Sequence, residues 1–323
     1  VLDTSEAGNQ PMWDASGRYC IVFNGEIYNY RSYIDELRND GIVLRSHSDT
    51  EVLLYLFIKY GIDCIPKLNG CFAFAVYDIQ TSSLTIVRDR TGIKPLYYYF
   101  DQDKLLFASE LQALIAYGLQ AEVDQSALLF YLQLNYVPGP LSMVKGVRKL
   151  LPGQYLTATF DGVEVESYAT ELEFELKGEG LFQIMEKAVA DRLISDVPLG
   201  SFLSGGVDSS IIAALAARQT EHLHTFSVGF PDDKYFDESS YARQVAKHIG
   251  TEHTVFSLSR AELSADLEAV MDHFDEPFAD SSALAVYALS RQVKSQVTVA
   301  LSGDGADELF GGYNKHRAWA RLA

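Results

Sequence analysis

Residues Ser204-Gly-Gly-Val-Asp-Ser-Ser210 place two glycines, three hydroxyls and one carboxylate within a single short stretch. The apolar pair Phe202-Leu203 runs into it, and Ile211, Ile212 and Leu215 continue it as an apolar helix. Glycines let backbone amides approach a polyphosphate closely, and a helix N-terminus adds positive partial charge. Ser204, Ser209 and Ser210 would supply hydroxyl donors. Asp208 is out of place beside a phosphate unless a cation lies between them, which points to Mg²⁺, a hard ion that takes carboxylate and phosphate oxygens together. The competing reading is an ordinary strand-to-helix turn with Ser and Asp as caps. Two glycines, three hydroxyls and an acid are more than a cap needs. No Lys follows the glycines, so the Walker pattern is absent.

Leu301-Ser-Gly-Asp-Gly-Ala-Asp-Glu-Leu-Phe-Gly-Gly-Tyr313 repeats this logic at a second strand end. Asp304, Asp307 and Glu308 share about one turn, an expensive crowding unless they bond to amides or share a cation. Acids at a helix start would account for Asp307 and Glu308, but not for Gly303-Asp304-Gly305. Asn24-Gly25-Glu26 follows a buried strand. Asn-Gly is a strong tight-turn signal, so a hairpin corner is the local reading. The chemical alternative makes the Asn24 side-chain amide and the Gly25 N–H the two donors of an oxyanion hole, with Glu26 holding an α-ammonium. Ser48 and Glu51 read as a capping box before Val52-Leu53-Leu54, and Asp49 is an acid in the same first turn.

The elements that must position these residues fall into two kinds. From Tyr19 to about Tyr168, β-favouring runs such as Tyr19–Phe23, Cys71–Tyr77, Leu84–Val87 and Leu105–Phe107 alternate with turns, and helices are expected near Tyr30–Asn39 and Thr50–Tyr60. That layout predicts an α+β domain of face-to-face sheets. After about residue 172 the order is helix Leu181–Leu193, strand Leu199–Leu203, helix Ser209–Arg218, strand His224–Val228, helix Tyr241–Ile249 and strand His253–Phe256, with strand Val297–Leu301 later. This predicts an α/β doubly wound parallel sheet with ligands at the carboxyl ends of its strands. Domains are therefore expected at 1–172 and 173–323.

The 323 residues carry a formal net charge of −18, a field that disfavours nucleic acid as a partner. No run approaches the ~20 apolar residues of a membrane span, and the start of the chain has no secretory pattern. Three cysteines without export signals predict thiols rather than disulfides and a cytoplasmic setting.

Ser204–Ser210 resembles the pyrophosphate loop of the N-type ATP pyrophosphatases, such as GMP, NAD and argininosuccinate synthetases. Together with the block from Leu301 it is similar to the asparagine synthetase branch. The resemblance implies that ATP is contacted by Phe202, Leu203, Ser204, Gly205, Gly206, Asp208, Ser209, Ser210, Val228, Ser302 and Gly303. It also implies that Asp304 serves formation of a β-aspartyl adenylate and that Asp208 and Asp307 hold Mg²⁺. Asp275–Asp280 with Ser281 and Ser282 would lie where the acceptor binds. Upstream, Asn24–Asn29, Ser48–Glu51, Gly70–Asp78 and Arg88–Leu96 occur in the order seen in class II glutamine amidotransferases, which are N-terminal nucleophile hydrolase domains. By that resemblance Asn24 and Gly25 are catalytic oxyanion donors, glutamine is bound by them with Glu26 and Asp49, and Arg88–Leu96 is structural.

In these amidotransferases the nucleophile is a Cys at the mature N-terminus. The sequence begins at Val1, which the resemblance places after that Cys and after a glutamine-binding Arg, while Cys20, Cys64 and Cys71 read as buried thiols. A Lys used on the adenylate is expected beyond Ala323. The implied activity is that of an ATP-dependent carbon–nitrogen ligase using glutamine, aspartate and ATP, with a homodimer as the assembly to test. Rival expectations are an amidotransferase acting on another carboxylate, a sugar acid or peptide, and a silent paralogue serving as a scaffold. The paralogue would have eroded Asp208, Asp304 or Asp307, and all three are present.

Overall fold

The computed structural model describes residues 2–169 and 180–322, so a boundary near residue 172 lies outside the described residues. The chain divides into two compact units, Val1–Leu176 with Met271–Asp280, and Lys177–Val270 with Ser281–Ala323.

The strands of the first unit are β1 (Met12–Trp13), β2 (Tyr19–Ile27), β3 (Gly70–Asp78), β4 (Ser83–Arg88), β5 (Tyr97–Phe100), β6 (Leu105–Ala108), β7 (Val147–Lys149), β8 (Gln154–Thr159) and β9 (Gly162–Ser167). Among the described residues they form two antiparallel sheets, ordered β1-β2-β3-β4-β8-β9 and β6-β5-β7. Helices α1 (Ile34–Asn39), α2 (Asp49–Tyr60), α3 (Leu111–Ala116) and α4 (Gln125–Leu134) accompany them.

Strand β3 shows why the layers stack as they do. It is buried on both faces, so it reads as an unbroken apolar run rather than an alternating one. Phe72, Phe74 and Val76 enter a cluster with Leu53, Leu54 and Leu56 of α2. Ala73 and Ala75 point the other way, and their small size admits Tyr98, Leu105 and Phe107 of the second sheet. A third cluster joins Tyr97 and Val147 to Leu111 and Leu114 of α3. The result is helix, sheet, sheet and helix in layers, the expected α+β sandwich.

One loop braces this stack. The buried Asp89 carboxylate accepts N–H bonds from Phe72, Thr91, Ile93 and Lys94, and the Arg88 guanidinium donates to the carbonyls of Gly92, Lys94 and Leu150. Arg88–Leu96 thus ties β3 to the strands beyond it.

The second unit contains α5 (Leu181–Arg192), β10 (Leu199–Phe202), α6 (Val207–Ala217), β11 (His224–Gly229), α7 (Ser239–Ile249), β12 (Glu252–Ser257), α8 (Arg260–Ala265), α10 (Ser282–Val293), β13 (Val299–Leu301), α11 (Ala306–Phe310) and α12 (Asn314–Leu322), while α9 (Leu267–His273) crosses the division at Val270. The sheet order is β12-β11-β10-β13 and every pairing is parallel. Leu203, Ala213, Ala242 and Ala246 join α6 and α7 on one face, while Phe202, Phe226 and Phe256 meet Leu289 and Val293 of α10 on the other. Helices on both faces make this the expected doubly wound sheet. From β10 the chain moves outward through β11 and β12, then returns to β13 on the opposite side of β10. Strand order therefore reverses between β10 and β13, and the crevice beyond their carboxyl ends is where such sheets take ligands. No helix among the described residues is long and apolar enough to cross a membrane.

Candidate active sites

The crevice of the second unit is built by the two glycine-rich segments read from the sequence. Ser204-Gly-Gly206 leaves β10 and enters α6 at Val207, two residues before the expected start. Gly205 has φ +88°, and a Cβ there would sit 2.6 Å from the Ala242 nitrogen, so only glycine lets this turn pass under α7. Ser302-Gly-Asp304 leaves β13. A Cβ on Gly303 would lie 2.9 Å from the Ser209 nitrogen and 3.2 Å from the Asp208 Cβ. The second loop thus rests on the first turn of α6, and two segments about a hundred residues apart become one surface.

Two of the three hydroxyls bond within the loop itself. Ser204 Oγ and Ser209 Oγ lie 2.9 Å apart, the Ser204 N–H donates to Ser209 Oγ at 3.2 Å, and the Gly206 N–H donates to Ser204 Oγ at 3.2 Å. These bonds zip the loop shut. Ser210 Oγ is buried and has no hydrogen-bond partner among the described residues. The Ser302 hydroxyl donates to Asp304 Oδ2 at 2.8 Å, fixing that carboxylate at the crevice. Among the described residues no three His, Cys, Asp or Glu side chains group as a metal cage. Mg²⁺ on a polyphosphate needs only one or two carboxylates beside the phosphate oxygens, and Asp208 and Asp307, acids in the first turns of α6 and α11, have the chemistry to supply them.

Beside this loop lies a cavity of about 190 Å³ lined by Phe202, Ser204, Phe226, Val228, Phe230, Phe236, Glu238 and Val286, among others. Expected contacts Phe202, Leu203, Ser204 and Val228 are all at its wall. Phe236, Glu238 and Val286 were not foreseen, since each lies in a polar loop or on a helix without a motif of its own. Leu203 is wholly buried and packs on Ala213, Ala242 and Ala246.

In the first unit the hairpin-corner reading of Asn24-Gly25 is wrong. Both residues lie inside β2, with Asn24 opposite Ala73 and Gly25 opposite Phe72. Gly25 is required for a non-local reason: its φ is +154°, and a Cβ would stand 2.7 Å from the Phe72 Cα. The Asn24 amide donates from Nδ2 to Ser109 Oγ at 3.0 Å. Gln10 pins the preceding residue, donating to the Phe23 carbonyl at 3.0 Å and accepting the Phe23 N–H at 2.5 Å. Gln10, Asn24 and Ser109 share a cavity of about 240 Å³ with apolar walls. Sequence reading missed Ser109 and Gln10, whose partners are 85 and 13 residues away.

Asp49 begins α2 and is buried, accepting the Ile27 N–H on Oδ2 at 2.8 Å. Burial pushes its carboxyl up to about 6, opposed by the Ile27 bond and reinforced by the neighbouring Glu26. The capping box is only half formed. Ser48 accepts from the Thr50 N–H, but Glu51 reaches back to the Arg45 and Ser46 N–H groups. Cys64 and Cys71 are buried as expected, while Cys20 is only partly covered. Burial drives the Cys64 thiol up to about 12, far from the thiolate a nucleophile needs.

An antiparallel two-sheet sandwich is thus followed by a parallel sheet with two glycine-rich loops meeting beyond its switch point. Residues 1–169 match the family described as Glutamine amidotransferase domain, and residues 180–323 match Asparagine synthase. The chain belongs to the glutamine amidotransferase family, and its second part carries the asparagine synthase domain. It is 40% identical to asparagine synthetase (glutamine-hydrolyzing) 1 of Bacillus subtilis over 98% of this chain and 51% of that protein. It is 36% identical to the putative asparagine synthetase (glutamine-hydrolyzing) 2 of Methanocaldococcus jannaschii, covering 98% of this chain and 66% of the relative. Amidase chyE of Penicillium rubens is 32% identical over 98% of this chain and 51% of its own length. The chain thus spans between half and two thirds of the length of these relatives.

Proposed function

We propose that the protein is a glutamine-hydrolysing asparagine synthetase working in the cytoplasm. The observation that carries this reading is the seating of Gly303 on Asp208–Ser209, which gathers both glycine-rich loops at the switch point. In the first unit, glutamine is hydrolysed to glutamate and ammonia. The Asn24 side-chain amide and the Gly25 N–H donate to the oxyanion, and Glu26 and Asp49 hold the substrate's α-ammonium. In the second unit, ATP lies with its base in the Phe202–Val228 cavity and its phosphates over Gly205, Gly206 and Ser210. An aspartate β-carboxylate oxygen bonds to the α-phosphorus as pyrophosphate leaves. Ammonia then adds to the acyl carbon, AMP departs, and loss of a proton gives asparagine. Mg²⁺, when bound, neutralises charge on the leaving pyrophosphate, and Asp208 and Asp307 would hold it.

The test is product analysis with the full-length protein, glutamine, aspartate and ATP. Asparagine, AMP and pyrophosphate are expected in equal amounts. ADP and orthophosphate would overturn the adenylate chemistry. A second reading, amide transfer to another carboxylate, draws on the amidase relatives, and wins if aspartate is inert while another acid supports pyrophosphate release.

Asp49 gives this reading a pH signature. An α-ammonium beside Asp49 stabilises its charged form, so glutamine binding favours loss of a proton that the free site holds below about pH 6. The KM for glutamine should therefore rise as pH falls below about 6, by up to about tenfold per unit. Asp49→Asn should raise KM throughout and flatten this dependence. A wild-type KM level from pH 7 to 5 would remove Asp49 from the glutamine site.

A further inference from the structure

Residues 271–280 lie, in chain order, between segments of the second unit, yet they pack within the first. The resemblance to asparagine synthetases gave Asp275–Asp280 to the acceptor. Their hydrogen bonds give two of the carboxylates another task. Asp275 Oδ2 accepts the Leu111 N–H at 2.5 Å and Oδ1 accepts the Gln112 N–H at 3.2 Å. These are the first two residues of α3, whose own N-cap residue, Glu110, makes no side-chain cap bond. Asp275 therefore does from a distance of 164 residues what Glu110 does not do locally.

The segment is anchored on both sides of this contact. Glu276 Oε2 pairs with Lys149 Nζ at 2.5 Å, their side chains only 10% and 18% exposed, and Oε1 accepts the Met143 N–H at 2.6 Å. The Gln112 side chain donates to the Asp272 carbonyl, and the Ala279 N–H to the Asn135 carbonyl. Charged hydrogen bonds withdrawn from water are strong and directional.

What Asp275 fixes is close to the oxyanion donor. β6 ends at Ala108 and α3 starts at Leu111, so Ser109-Glu110 is a two-residue corner set on one side by the sheet and on the other by Asp275. Ser109 Oγ accepts one of the two Asn24 Nδ2 protons, which leaves the other free to point at a reacting oxygen. The backbone next to Asn24 is already pinned by Gln10, so rotation of the amide is the freedom that Ser109 removes. We infer that Asp275 is a positioning residue for glutamine hydrolysis, holding the start of α3 so that Ser109 orients the Asn24 amide. This rests on the reading of Asn24 as an oxyanion donor.

The experiment compares Asp275→Asn, Ser109→Ala and the double variant in the full-length protein. An amide offers one acceptor oxygen where the carboxylate satisfies two N–H groups, so Asp275→Asn weakens the corner with little change of shape. Glutaminase kcat should fall roughly ten- to a hundredfold, the scale of loss when a reacting group is slightly misplaced. KM for glutamine, KM for aspartate in ammonia-dependent synthesis and the melting temperature should stay close to wild type. Ser109→Ala should give a similar drop, and the double variant no more than the larger single loss, because both act on one amide. An unchanged glutaminase rate overturns the inference, as does a raised KM for aspartate, which would restore the acceptor role. Losses that multiply in the double variant, or that track a lowered melting temperature, also overturn it. Asn24→Ala run in parallel separates the two levels: if that variant keeps full glutaminase activity, the reading of Asn24 fails first.

Discussion

Replacing Asp208 by Ala in the full-length protein should abolish aspartate-dependent pyrophosphate release, a loss of at least about a thousandfold, while the protein stays folded. Asp208 sits in the first turn of α6, partly exposed, and Ala is favoured in a helix, so the substitution should cost little stability. Its Cβ lies against Gly303 at the point where the two loops meet. On the proposed mechanism, pyrophosphate leaving there concentrates negative charge in a crevice whose fixed donors are backbone N–H groups. A cation held by Asp208 is then the largest counter-charge available, and charge stabilisation of this kind is worth several kcal/mol in a transition state. Exchange of labelled pyrophosphate into ATP reports the step directly. Exchange at more than a tenth of the wild-type rate would show that Asp208 is a helix-start acid and no more.

Asn24→Ala should lower glutaminase activity by 10²–10³, the loss of about 3 kcal/mol seen when one oxyanion donor is removed. Ammonia-dependent synthesis should be spared, because the proposed function gives ATP and aspartate to the other unit. Asn24 is exposed on its strand, opposite Ala73, so truncation leaves no buried hole. Gly25→Ala cannot serve as the companion test. A methyl group there would press on the Phe72 backbone and force β2 and β3 apart. Equal loss of both activities in Asn24→Ala would mean that the side chain supports the fold rather than the oxyanion.

How far these sites were legible in the sequence depends on whether the reason for a residue is local. Ser204–Ser210 could be read because a tight turn, a helix start and a phosphate each ask for glycine and hydroxyl residues within a few positions. The parallel sheet could be read because helix and strand alternate. Asn24-Gly25 misled because the dipeptide is a turn signal by local preference, while its glycine answers to Phe72 across the ladder. Glu51 was read as a capping partner of Ser48 because the spacing fits, yet its carboxylate reaches the N–H groups of Arg45 and Ser46 earlier in the loop. Ser109 carries no motif, since its partner is set by how β6 lies against β2. Asp275 and Glu276 were assigned to the acceptor by the resemblance alone, and their bonds to Leu111, Gln112 and Met143 were not legible because those partners lie far away in sequence.

The distance of Asp275 from its partners also orders events during synthesis on the ribosome. Both sheets of the first unit are complete once Ser167 has emerged, but the N–H groups of Leu111 and Gln112 stay without their carboxylate until residue 275 follows. At roughly 5–20 residues per second, that interval is on the order of ten seconds. The nascent first unit therefore passes through a period with its sheets in place and the start of α3 not yet capped by Asp275. If Asp275 positions Asn24 as inferred, glutamine meeting the unit in that period would be hydrolysed slowly.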